Sequence, residues 1–496
     1  MNISSIQKTI LSLAVVVYII TAINSKGYYH ADEQYQIIEF AGIKLGTHTP
    51  HDLAWEYTSS IRSATMPTIC YGLFSVFNVL HLTDPYTQTA LLRILMALLS
   101  LLAIHLFVRS SSSSILPPYR TVYLLISFFL WFIPFLNVRF SSESLSGISF
   151  LLAIALFQFQ KEKKYQFVIV GALLGFSFLC RFQSGFLSLG FLAWLVLINK
   201  TELKKLIQLL AALAAMVLLG IAIDTWFYQK LVCSFYNYWS LFSTTDDAAS
   251  SFGTLPWYYY IWYLVKLPFF PIGLLIVSAI VVIILRQPKS LVVWIVVPFI
   301  IIHSIIHHKE ERFLFPIINF LPLILVMAYQ EMKSIFSHPS LHYPKLFLAL
   351  PLVLLNITGL MAMGTKAAGV GRMDITHYIH QHYQDKEVNL ISCQWSSPYN
   401  PWQSLPTKYY QEKNVHDIQI KSLCSFNVSL VDNNKVNLLV LRKAEKGNSE
   451  CVKLIQENHL VKLRQSIPEW MEKVNGYYKG FENDDILELY LINPKK

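Results

Sequence analysis

Apolar and polar positions along this chain are grouped in long blocks rather than short periods. Runs long enough to cross roughly 30 Å of hydrocarbon fall near residues 8–24, 88–108, 121–136, 144–160, 165–181, 184–199, 205–223, 268–285, 290–306, 313–330 and 345–363, which predicts about eleven membrane helices. Five of the short loops between them carry Lys or Arg: Arg109 to Arg120, Lys161-Glu162-Lys163-Lys164, Lys200 to Lys205, Arg286 to Lys289, and Lys333 to Lys345. With the N-terminus in the cytoplasm, all five fall on the cytoplasmic side, as the positive-inside bias requires. The alternate set then faces outward: residues 27–88, Asn137 to Glu143, the turn at Arg181, Asp224 to Lys266, His307 to Arg312, and everything after Gly364.

The outward segments have patterns of their own. Residues 51–86 space Trp55, Tyr57, Ile61, Met66, Ile69, Tyr71 and Phe74 among polar positions, which predicts short helices lying along a membrane surface. Leu255 to Tyr263 is dense in aromatics, as an interfacial belt or a wall facing a lipid or sugar would be. After residue 364, Val388 to Ile391, Val436 to Leu441 and Ile486 to Leu491 read as short strands between charged, helix-prone stretches. The domain reading is a transmembrane catalytic domain over 1–363, with 27–88 as its large first outer loop, and a small outer α/β domain over 364–496.

Composition agrees. Hydrophobic residues make up 54% of the chain and charged ones 14%, with mean hydropathy +0.44, against about 25% charged in a soluble domain. The net charge of +10 comes largely from the loop clusters that orient the helices, which argues against nucleic acid as a partner. Six cysteines are too sparse for a disulfide scaffold, although Cys393, Cys424 and Cys451 could pair outside and leave one thiol over. The first apolar run lacks a small-residue cleavage site and reads as a retained anchor. Asn427-Val428-Ser429 is the glycosylation sequon that is plainly outward.

Two polar constellations stand out against this apolar background. The first is His30-Ala31-Asp32-Glu33-Gln34-Tyr35-Gln36, directly after the first span. An adjacent carboxylate pair there can take the proton of an acceptor hydroxyl; a helix cap is the plain alternative. The second is His307-His308-Lys309-Glu310-Glu311-Arg312-Phe313, at an outward boundary before the run containing Pro316 and Pro322. Ionisable groups at such a depth usually serve a site. Lys309 and Arg312, three positions apart, are expected on one helical face, where they can hold a lipid-linked phosphate.

The first constellation resembles the His-x-Asp-Glu-x-x-Gln signature of glycosyltransferase family 22, and His308 to Phe313 resembles that family's His-Lys-Glu-x-Arg-Phe run. Weaker likenesses lie at Trp55-Glu56-Tyr57 with Ile61-Arg62-Ser63 and Pro67, at Arg139 to Ser144, and at Asp224 to Tyr228. A loose one, Cys393 to Pro398, is similar to a Cys-x-Ser-x-Pro segment of GPI-type members.

The resemblance implies a GT-C architecture and a mannosyltransferase of the GPI or dolichol-linked-oligosaccharide type. It implies mannose transfer from a polyprenyl-phosphate donor to a lipid-linked glycan on the periplasmic or lumenal face of a bacterial inner membrane or the endoplasmic reticulum, with inversion. Asp32 and Glu33 are then the catalytic carboxylates, with Asp32 favoured as base. His30, Gln36, Arg62, Arg139, Arg181, His308, Lys309, Glu310 and Arg312 form the donor-phosphate and substrate set. No metal and no cofactor are expected. The rival readings are an aminoarabinose-type or protein O-mannosyl transferase, which the first constellation fits and the second does not, and a polytopic lipid or sugar transporter. A transporter is disfavoured because the polar groups gather at one face rather than at the bilayer midplane.

Overall fold

The computed structural model describes residues 5–159, 164–244, 253–333, 342–393, 395–400, 405–421, 426, 431–447, 453, 455, 460–478 and 480–492. Asn427 to Ser429, Cys424, Cys451, Lys161 to Lys163 and residues 334–341 lie outside this set, so the sequon, the cysteine pairing and parts of two basic loops do too. Two compact units make up the chain: residues 1–22, 59–68 and 93–364 form one, and residues 23–58, 69–92 and 365–496 the other. The segment 365–496 thus shares its unit with most of the first outer loop, whereas the sequence reading grouped that loop with the membrane helices.

In the first unit a helix accompanies each apolar run. Ser5–Asn24, Pro85–Ser114, Leu203–Tyr228 and Glu311–Glu331 are long and apolar enough to cross a membrane, and six shorter apolar helices stand beside them. Two runs depart from a single α-helix. The run at 121–136 breaks into Arg120–Phe129 and Phe132–Asn137. Pro134 explains the break, because its ring clashes with the carbonyl four residues back, that of Leu130. Asn356 closes the gap: its Oδ1 accepts the Trp131 N–H at 2.9 Å and its Nδ2 donates to the Phe129 carbonyl at 2.7 Å. The run at 313–330 opens as a 3₁₀ turn over Glu311–Phe320, containing Pro316, before becoming α-helical at Leu321–Glu331.

One close approach fixes the site. A Cβ at Gly147, on the helix Ser142–Gln158, would lie 2.7 Å from Pro316 Cα. Glycine there lets this helix and the 3₁₀ segment touch backbone to backbone, so that Glu143 and Arg312, each four residues earlier, come face to face.

In the second unit a five-stranded sheet runs in the order β2-β1-β3-β5-β4, with β1 Val388–Cys393, β2 Val415–Ile420, β3 Val436–Arg442, β4 Val461–Gln465 and β5 Leu487–Leu491. β1 pairs in parallel with β2 and β3; β5 pairs antiparallel with β3 and β4. Alternation along each strand sends Leu390, Leu438 and Leu489 to one core, with Ile375 and Ile379 of the helix Arg372–Tyr383, and Ile391, Leu439 and Tyr490 to the other. Residues 27–88 include the helices Trp55–Ser59 and Thr65–Val79.

Candidate active site

The acidic segment belongs to the second unit. Ala31–Glu33 forms one helical turn and passes into a π-helix over Gln34–Ile38, then an α-helix over Glu39–Leu45. Short π segments occur frequently at functional sites. The Glu33 carboxylate is buried and accepts the His30 N–H at 3.4 Å, a capping role at the start of the turn. The His30 ring meets Tyr29 edge-on at 4.7 Å. Asp32 is half-buried. Gln36 donates to Glu56 at 3.0 Å and so ties the segment to the helix Trp55–Ser59.

Below this turn lies a network that sequence reading missed. Glu39 is fully buried and paired with His48, whose Nδ1 meets the Thr47 hydroxyl at 2.8 Å. Gln34 Nε2 donates to Glu39 at 2.7 Å, and the backbone N–H of Tyr409 donates to it at 3.2 Å. A Cβ at Gly42 would collide with the His48 ring, so glycine is what admits the imidazole. Residues 408 and 409 grip the loop again: Lys408 bonds Asp52 at 2.7 Å, and the Tyr409 ring stacks on Phe74 at 5.0 Å. The Lys408 ammonium holds the Asp52 carboxyl well below the usual carboxylate range. A carboxylate at Glu39, within the apolar Ile37-Ile38-x-Phe40-Ala41, was the available signal, because such a group must find partners.

The basic segment belongs to the first unit, and here the side chains form a linked chain. Arg312 grips Glu310 with two bonds, Nε at 2.7 Å and Nη2 at 2.8 Å, and its Nη1 lies 3.5 Å from Glu143. Glu143 also pairs with Arg181 at 3.1 Å, and Glu310 with His308 at 3.0 Å. The Phe313 ring lies under both guanidinium groups, 5.1 Å from Arg181 and 5.5 Å from Arg312. Ser141 caps the helix that carries Glu143, accepting the Ser144 N–H at 3.1 Å.

Lys309 and Arg312 do not share a helical face. The 3₁₀ turn starts at Glu311, with Glu310 extended before it, so Lys309 precedes the helix. Its ammonium is buried and donates to the carbonyls of Leu255, at 3.0 Å, and Ile306. Burial lowers its pKa. Among the described residues no carboxylate pairs with it. The Leu255 N–H in turn donates to the His307 carbonyl at 3.0 Å, so the start of the aromatic stretch lies against the basic segment.

The remaining expected residues have other surroundings. The Arg62 guanidinium covers the Tyr238 ring at 6.0 Å, and the Arg62 carbonyl accepts from Tyr228 at 2.7 Å. Asp224 receives the backbone N–H groups of Ala64 and Ser234, at 2.8 and 3.2 Å. The Asp224 to Tyr228 block therefore anchors the backbone around Arg62. Arg139 is buried at the turn before Ser142. Glu143, quoted in the sequence pattern but left out of the expected set, is the residue that joins Arg181 to Arg312.

Residues 9–410 match the family described as the Alg9-like mannosyltransferase family. A protein of Candida albicans named GPI mannosyltransferase 3 is 26% identical over 82% of this chain and 79% of its own length. A Bos taurus protein named GPI alpha-1,2-mannosyltransferase 3 is 24% identical over 74% of this chain and 66% of its own. The fold is similar to the crystal structure of ArnT from Cupriavidus metallidurans bound to undecaprenyl phosphate, with a TM-score of 0.51 over 98% of this chain and 99% of that one, at 12% identity. That likeness is one of fold, and it agrees with the GT-C architecture expected from the sequence.

Proposed function

The chain belongs to the Alg9-like mannosyltransferase family, and we propose that, as a membrane mannosyltransferase, it moves mannose from a polyprenyl phosphate to a lipid-linked glycan. One observation carries the donor reading. At the basic segment Arg181 and Arg312 have carboxylate partners, Glu143 and Glu310. The Lys309 ammonium is buried, and its described partners are carbonyls. A polyprenyl phosphate sugar is a phosphodiester with one negative charge, so it can supply Lys309 with a counter-charge. A buried cation gains most from such a partner.

In this reading Asp32 takes the proton from the acceptor hydroxyl as that oxygen bonds the anomeric carbon. The bond from the anomeric carbon to the phosphate oxygen breaks, and the polyprenyl phosphate departs with the electron pair. A single displacement inverts the centre and needs no second carboxylate as nucleophile. Arg312 and Lys309 balance the charge that builds on the departing phosphate. The relatives named GPI mannosyltransferase 3 support a glycolipid acceptor of GPI type.

Lys309→Met and Arg312→Ala are expected to raise the KM for the donor about tenfold or more, with a smaller change in kcat, because a phosphate is held in ground and transition states alike. Steady-state kinetics with purified enzyme and polyprenyl-phosphate mannose check this. Turnover on a soluble nucleotide-mannose in its place would overturn the lipid-donor reading.

The active face lies outside in this reading, with the N-terminus in the cytoplasm and residues 364–496 periplasmic or lumenal. A reporter fused after Lys289 should read cytoplasmic, and one after Lys496 external. A cytoplasmic signal from the second fusion would reverse the assignment.

A further inference from the structure

Within the second unit is a cavity of about 490 Å³ that none of the residues assigned to the transfer chemistry lines. Two carboxylates, Asp374 and Glu469, line it with four cations: Lys26, Lys366, Lys462 and Arg464. Three of these are matched by carboxylates. Lys26 lies 3.2 Å from Asp374, and Arg464 grips the same carboxylate at 2.6 and 2.9 Å. Lys462 lies 2.8 Å from Glu488.

Lys366 differs. It is 7% exposed, donates to the Gly369 carbonyl at 3.1 Å, and lies over the Phe481 ring at 5.0 Å. Among the described residues no carboxylate lies within ion-pair distance of it. Fully buried lysines are rarely left without a counter-charge, because withdrawing an ammonium from water is costly. Burial pulls its pKa down to about 8. The cavity therefore has room for an anion and one buried cation that lacks a counter-charge.

Chain connectivity says where that cavity stands. Asn24 is the last residue of the apolar helix Ser5–Asn24, and Thr365 is the last of the apolar helix His342–Thr365; both line the cavity. Lys26 and Lys366 follow within two residues. Basic side chains just beyond membrane helices sit at the level of the lipid phosphates.

We propose that this cavity binds the phosphate of an anionic lipid headgroup, with Lys366 as its principal contact and Lys26 and Arg464 lending further donors without leaving Asp374. The site would hold a membrane lipid distinct from the donor and acceptor of the transfer reaction, and does not depend on which sugar is transferred.

The test uses the purified full chain in detergent, with retained lipid read by native mass spectrometry and melting temperature in parallel. Phosphatidylglycerol should be retained and should raise the melting temperature, and phosphatidylcholine should do so far more weakly. Lys366→Met should lower the apparent affinity for phosphatidylglycerol about tenfold. Its lipid-free melting temperature should not fall, because the substitution removes a buried uncompensated charge. If it does fall, Lys366→Arg decides the matter: retained binding supports the site and lost binding overturns it. Equal binding by the wild type and Lys366→Met would overturn the proposal. An equal rise in melting temperature with inorganic phosphate alone would overturn the lipid source.

Discussion

Asp32→Asn should lower turnover by about 10²–10⁴-fold, the usual loss when a positioned general base is removed, with the melting temperature unchanged. Asparagine keeps the shape of the side chain and discards its basicity. The structure separates the two adjacent carboxylates that sequence alone could rank only by position. Glu33 is buried and accepts the His30 N–H, so its carboxylate holds the start of the turn, whereas Asp32 is half-buried. Glu33→Gln keeps an acceptor oxygen for that N–H and should retain most of the activity while lowering the melting temperature slightly. Single-turnover assays with saturating donor separate chemistry from binding. Near-normal turnover in Asp32→Asn together with loss in Glu33→Gln would exchange the two roles. Full activity in both variants would remove this segment from the chemistry.

Glu143→Gln should destabilise the membrane unit by about 3–5 kcal/mol, the range seen when one partner of a buried ion pair is removed. Glu143 is 3% exposed and lies between Arg181 and Arg312, so its loss leaves two guanidinium groups without the carboxylate they share. Arg312 keeps its two bonds to Glu310, and Arg181 loses its 3.1 Å pair with Glu143. The double variant Glu143→Gln, Arg181→Met should recover part of the loss, because the cation that faces Glu143 is removed along with it. Thermal melting in detergent measures both variants. An unchanged melting temperature in the single variant would show that the bridge contributes little.

What was legible in the chain follows from how strongly each element is forced by burial. The central strands β1, β3 and β5 are covered on both faces and read as largely apolar runs, broken by the buried Asn389, Asn437 and Glu488. The edge strands β2, Val-His-Asp-Ile-Gln-Ile, and β4, Val-Lys-Leu-Arg-Gln, are half-exposed. They carry polar side chains that blunt an unpaired edge, which hides them from a hydrophobic pattern. The apolar helices were visible from length and composition. The break after Phe129 was marked only by Pro134, and the Asn356 that fills it comes from a residue 225 positions from Trp131.

The same distinction divides the site. The two short motifs showed themselves because charge among apolar residues is conspicuous. Their partners did not, since Glu143 finds Arg312 through the contact of Gly147 with Pro316, a tertiary event with no local signature. The expected helical face for Lys309 and Arg312 failed because the helix starts two residues later than Lys309, at Glu311, leaving the lysine to carbonyl partners. Glu39 and His48 fall outside both motifs, and the only local sign of them is a lone carboxylate in an apolar run, which burial obliges to find a partner.

The π-helix over Gln34–Ile38 carries a consequence for how this protein evolves. Gln34 reaches Glu39 across five positions, a step that the wide turn permits and a regular α-turn, spanning four, would rotate by about 100°. Deleting a single residue between them would restore ordinary winding with the pair four positions apart, a spacing that keeps both side chains on one face. The widened turn therefore holds one more side chain than an α-turn would between the same two partners. Among descendants of this chain, a one-residue gap inside Gln34–Ile38 should leave the Gln34–Glu39 pair in place.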